Sequence, residues 1–145
     1  MNETERIIER IKTMTSYVDF LREHRVSERE LLDDYILRSA IERNLQLAIE
    51  SALDVGEMVI SMEDLEKPET YRDIIEILEK HDILPSDFAE RFSEAAGLRN
   101  ILVHMYTDVD PSIIAEILNE RLHDFEFYSE SILRFLRDKY SDEFR

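Results

Sequence analysis

The sequence predicts an all-α protein, an antiparallel bundle of about five helices. Glycine and proline, the residues that interrupt helices, number only two and three in 145 residues. Along most of the chain apolar residues return at steps of three and four, the period of one helix face. No stretch alternates apolar and polar residues as a half-buried strand would. Packing amphipathic helices against one another is the direct way to bury their stripes. The length suits one domain over residues 1–145. A chain of this size buries roughly 68–70% of its unfolded surface, enough for a core without staples.

The first helix is expected over about 3–23, where Ile7, Ile11, Met14, Val18 and Leu21 draw one stripe. Ser27-x-x-Glu30 reads as a capping box opening the second. That helix carries Ile41, Leu45, Ala48, Ala52, Val55 and Val59 and is expected to run from about 28 to 61, unusually long for a globular protein. Residues 61–70 are polar, contain Pro68 and form a connection. A short third helix is expected at about 70–81, and the fourth starts near Ser86. Thr107-Asp-Val-Asp-Pro is a break, with Asp110 as N-cap and Pro111 at the first position of the fifth helix. Ile114, Leu118, Leu122, Phe125, Ile132 and Leu136 supply its inner face.

Composition narrows the function. Without cysteine there are no disulfides, thiolate metal sites or cysteine nucleophiles. No apolar run approaches the ~20 residues of a membrane span, and the N-terminus lacks the basic start and apolar stretch of a secretory signal. A cytoplasmic protein with no membrane partner is expected. The net charge of −16 argues against broad nucleic-acid binding and would suit a partner-binding protein equally well. Any nucleic-acid site must be small and locally basic.

The fourth helix departs from a plain bundle. Phe88, Phe92, Ala95 and Leu102 keep the rhythm of a buried stripe, and the same rhythm places Arg99 and Tyr106 on it. An arginine there must be paired or wet. Beside it run Gly97, Asn100 and His104, small or polar where a core would want leucine. Gly97 costs about 1 kcal/mol against alanine in mid-helix, and its small size permits close approach of another backbone. The strip from Gly97 to Tyr106 therefore faces a cleft or another subunit. The plainer alternatives are an Arg99 that snorkels or pairs with an acid, and a structural His104. On a straight helix Arg99 and His104 sit about 140° apart. They converge only if the arginine bends round, the helix ends near His104, or a second copy completes the site.

Arg99-Asn100-Ile101-Leu102-Val103-His104-Met105-Tyr106 resembles the signature of the HEPN superfamily: arginine, a polar residue, then histidine after four to six positions. The tyrosine two residues beyond the histidine is similar to the HepT toxins within it. The resemblance extends to the stretch from Glu42 to Asp54, and to Val109-Asp110. The histidine pattern alone is weak, since about one chance match is expected in an arginine-rich chain; its place ahead of the last helix adds weight.

The resemblance implies a metal-independent endoribonuclease toxin of a type VII-like toxin–antitoxin pair. It acts as a homodimer whose two motifs share a cleft, and needs no cofactor. His104 would move protons, as an imidazole does near neutral pH. Arg99 would hold phosphate and stabilise its developing charge. Asn100, one turn before His104, would orient its ring. The substrate is RNA and not DNA, which lacks the 2′-hydroxyl. The implied partner is a nucleotidyltransferase antitoxin of the MntA type, which transfers AMP onto the tyrosine matching Tyr106; the added phosphate would block the cleft and occupy Arg99. The alternative is a HEPN-like adaptor subunit that binds a nucleotidyltransferase and cuts nothing. Glu50 and Asp54, one turn apart, either face the cleft or belong to a solvated acidic face. Glu120-x-x-His123 is half of a di-iron bundle motif whose second half is absent. His24 and His81 fall near helix ends as exposed caps.

Overall fold

A computed structural model describes residues 1–104 and 109–141. All regular structure among them is helical: α1 (Glu3–Glu23), α2 (Glu28–Asp33), α3 (Tyr35–Met62), α4 (Tyr71–Lys80), α5 (Ser86–Val103), α6 (Pro111–Glu116), a π-helical turn at Ile117–Arg121, and α7 (His123–Lys139).

Start signals in the sequence act as expected. Ser27 and Glu30 form a reciprocal capping box, and Asp110 accepts from the Ser112 N–H with Pro111 just inside the helix. Thr70 and Asp73 build a second capping box at the start of α4.

Two expected helices divide. The long second helix breaks at Asp34, whose backbone is extended (φ −123°, ψ 94°) and whose carboxylate caps Leu37. Asp34 thus closes α2 and opens α3. Aspartate favours this because its side chain offers the backbone a local alternative to the helix ladder. The fifth helix divides into α6, the π turn and α7. Ile114, Leu118 and Leu122 are spaced by four twice, which drifts off a regular α face; the wider π turn returns all three to the core. Asn119, within the turn, donates to the carbonyls of Val26 and Ala115 at 2.9 Å each.

α1 lies antiparallel on α3, with Arg10 beside Asp54 near one end and Ile7 near Met58 and Ser61 further on. α5 and α7 are antiparallel. Arg91 donates two hydrogen bonds to the buried carboxylate of Asp124 at 3.0 and 3.2 Å, and Phe88 packs on Phe127. α7 closes onto α3 where the Tyr128 hydroxyl donates to the Ala52 carbonyl at 2.7 Å. Burial holds that phenol protonated well above its ordinary range. One continuous apolar cluster joins α1, α3, α4, α5 and α7. Gly56 lets α4 cross α3 closely: a Cβ there would lie 2.5 Å from Ile74 Cγ2 and 3.0 Å from the Tyr128 hydroxyl. No helix among the described residues is long and apolar enough to cross a membrane.

Candidate active site at the end of α5

The buried side of α5 is carried by Phe88, Ala89, Phe92, Ala96, Leu98 and Leu102. Arg99 lies at its edge, with its side chain 22% exposed. Three helices meet around it. Glu50 of α3 brings Oε1 to 3.3 Å from Arg99 Nε. Tyr71, first residue of α4, lies under the guanidinium with the ring centroid 4.6 Å from Cζ. Asn100 accepts from Arg99 Nη1 at 3.4 Å. Glu50 is itself held by Gln46, whose amide donates to Oε1 at 3.1 Å. Nε is shielded from solvent, yet its N–H makes no aligned hydrogen bond among the described residues. Charge rather than directed bonding holds the Glu50 pair.

The plain reading of Arg99, pairing with an acid, is therefore realised, by an acid for which the sequence had left open both the cleft and a solvated acidic face. Glu50 and Asp54 take different ion-pair partners. Glu50 meets α5, whereas Asp54 pairs with Arg10 of α1 at 3.3 Å. Burial raises the Asp54 carboxyl above its usual range against the pull of Arg10; Glu50 adds to the rise and Arg99 opposes it.

α5 ends at Val103, and His104 is its exposed C-cap, with its N–H on the Asn100 carbonyl at 3.3 Å. Of the three ways to reconcile the five-residue spacing, the helix end is met within one chain. Asn100 links the two: its side chain touches Arg99 and its backbone carbonyl holds the His104 amide. Tyr106 lies outside the described residues. Just beyond, the Val109 carbonyl accepts from Arg38 Nη2 at 3.1 Å, which ties the chain after the motif to α3.

Asn100 and His104 are exposed and Gly97 is half-buried, so the polar strip faces outward. Among the described residues the atom that a Cβ on Gly97 would approach is Arg72 Nη2, at 3.8 Å. Arg72 is exposed and has no ion pair among the described residues. Tyr71, Arg72 and Gln46 were not singled out by sequence. Each sits on another helix, and no local pattern joins it to Arg99.

Other histidines lie elsewhere. His24 and His81 are C-caps of α1 and α4, His24 half-buried rather than exposed, with Nδ1 2.8 Å from the Phe20 carbonyl. His123 lies 3.5 Å from Asp124. No group of three or more histidines and acids among the described residues is placed to hold a metal ion. An apolar groove of about 210 Å³ lies between α3, α5 and the π turn; Arg99, Asn100 and His104 do not line it, and its arginines, Arg91 and Arg121, are both paired with acids.

A family model described as ribonuclease HepT-like matches residues 4–132. The tRNA nuclease HepT of Aphanizomenon flos-aquae is 31% identical over 131 residues, 88% of this chain and 87% of that protein. The mRNA nuclease HepT of Shewanella oneidensis is 24% identical over 126 residues, 87% of this chain and 95% of that one. Among solved structures, the tri-AMPylated HEPN toxin of Shewanella oneidensis in complex with its MNT antitoxin superposes with a TM-score of 0.83 at 24% identity, covering 92% of this chain and 99% of that one. The last comparison shows the shared fold; the first two, with a motif arginine held by three helices beside a histidine at a helix end, show that this chain belongs to the HepT-like family of ribonucleases.

Proposed function

We propose that the chain is a metal-independent endoribonuclease toxin acting in the cytoplasm, with Arg99 and His104 as catalytic residues in a cleft shared by two copies. One His104 takes the proton of the 2′-hydroxyl, whose oxygen attacks the adjacent phosphorus. The other gives a proton to the departing 5′-oxygen. The products are a 2′,3′-cyclic phosphate and a free 5′-hydroxyl. Arg99 stabilises the charge that builds on the phosphate oxygens. The observation that carries this reading is the largely buried Arg99, held by Glu50 and Tyr71 and joined through Asn100 to an exposed His104. Ile101, 46% exposed within the motif, fits a surface that a second copy covers.

Restraint follows from the same site. A nucleotidyltransferase antitoxin transfers AMP from ATP onto Tyr106; the tyrosine oxygen attacks the α-phosphorus and pyrophosphate leaves. The added phosphate pairs with Arg99 and fills the cleft. A solved complex of an AMPylated HEPN toxin with an MNT antitoxin supports this assignment.

The net charge of −16 favours a second reading, an adaptor that binds the nucleotidyltransferase and cuts nothing. RNA cleavage by unmodified protein in excess EDTA, against His104→Ala, separates the two. Cleavage by the wild type and not the variant supports the nuclease. No cleavage by either, from protein whose intact mass carries no AMP, establishes the adaptor.

A further inference from the structure

We propose that Glu50 and Tyr71 are positioning residues for Arg99, two sides of a clamp that aims its guanidinium. The inference deepens the nuclease reading and rests on it for its catalytic meaning. An arginine carries about 2 kcal/mol of rotamer entropy. A donor stabilises a transition state best when that freedom is removed beforehand. Arg99 is restrained on its Nε edge by Glu50 at 3.3 Å and on its face by Tyr71 at 4.6 Å. Glu50 is itself fixed by Gln46.

Arg91 shows what a purely structural arginine looks like in this fold. Its Nε and Nη2 both donate to Asp124, a fork-to-fork pair that uses up that edge. Arg99 instead meets its acid through Nε alone, without an aligned hydrogen bond, so Glu50 consumes none of its N–H donors. The Nη groups, one on Asn100, remain for a phosphate. Tyr71 adds a flat support that restrains the plane without competing for donors. The carboxylate also has a cost. It sets a negative charge beside the place where phosphate must bind, so the clamp trades affinity for orientation.

That trade gives the test. Glu50→Gln keeps the shape and removes the charge. Its single-turnover cleavage is expected to fall about tenfold or more, while RNA affinity, measured on the His104→Ala background, stays equal or tightens. Tyr71→Leu lowers cleavage without tightening RNA, and Tyr71→Phe rescues what leucine loses. In the free protein the Arg99 Nε–H nuclear resonance, identified by its loss in Arg99→Lys, is expected to move in both Glu50→Gln and Tyr71→Leu. Glu50→Gln that cuts at the wild-type rate, or that loses affinity and rate together, overturns the proposal. So does an Nε–H resonance that neither substitution moves. If the wild type cuts no RNA, the nuclease reading fails on its own, and the resonance still decides the clamp.

Discussion

Replacing Gly56 by alanine tests how α3, α4 and α7 share one crossing. In an exposed helix the change would stabilise by about 1 kcal/mol, because glycine loses more backbone entropy on folding. Here the new Cβ would lie 2.5 Å from Ile74 Cγ2, 3.0 Å from the Tyr128 hydroxyl and 3.3 Å from Leu78 Cδ1. None of the three yields readily. Ile74 is β-branched and 1% exposed, Leu78 is fully buried, and Tyr128 is pinned to Ala52. Overpacking of this kind costs about 1–3 kcal/mol, and three fixed neighbours place it at the upper end. Set against the propensity gain, the net loss is about 2 kcal/mol, or roughly 4–8 °C in Tm for a chain of this length. Thermal unfolding followed by circular dichroism reads it directly. Gly97→Ala is the internal control, since among the described residues a Cβ there meets the Arg72 guanidinium alone, at 3.8 Å, an ordinary contact. A Gly56→Ala protein as stable as the wild type would refute the crossing described above.

Asp34→Ala removes the cap of α3 and is expected to cost about 1 kcal/mol, read by urea unfolding; no loss would mean that the α2–α3 break does not depend on this side chain. Asp54→Asn is expected to raise Tm at neutral pH. The raised carboxyl contributes stability that is complete below its unfolded value and is lost as pH rises through the folded one, and the exposed Arg10 pair offsets little. The gain should shrink as pH is lowered toward about 4, the ordinary aspartate range, and a gain that grows on acidification contradicts the sign. Arg99→Lys keeps the charge but loses the planar fork and the stacking face on Tyr71. Cleavage is expected to fall by about a hundredfold or more, and near-wild-type rates would show that any cation suffices.

Much of this protein is local and so was legible in the chain. The stripe from Ile7 to Leu21 drew α1 with its observed bounds, because a helix face repeats at three and four whatever packs on it. The caps Ser27, Asp110 and Pro111 acted as read, because capping is decided within one turn. Arg99, Asn100 and His104 stood out as polar residues where a core stripe wanted apolar ones. Asp34 was missed because aspartate inside a strong apolar pattern breaks a helix only when tertiary packing favours the bend. The π turn was missed because steps of four and four read as helix until the core demands that all three leucine and isoleucine side chains face it.

What holds Arg99 was beyond any local pattern. Glu50 was visible as an acid, but its turn toward α5, the turn of Asp54 toward Arg10, and the arrival of Tyr71 under the guanidinium depend on how α1, α3, α4 and α5 cross. Sequence by itself determined where most helices begin and which three polar side chains interrupt the apolar face of α5, since both follow from the order of residues along one face. Tertiary structure alone decided how the arginine is aimed, since its partners come from three helices brought together by burial of the shared core.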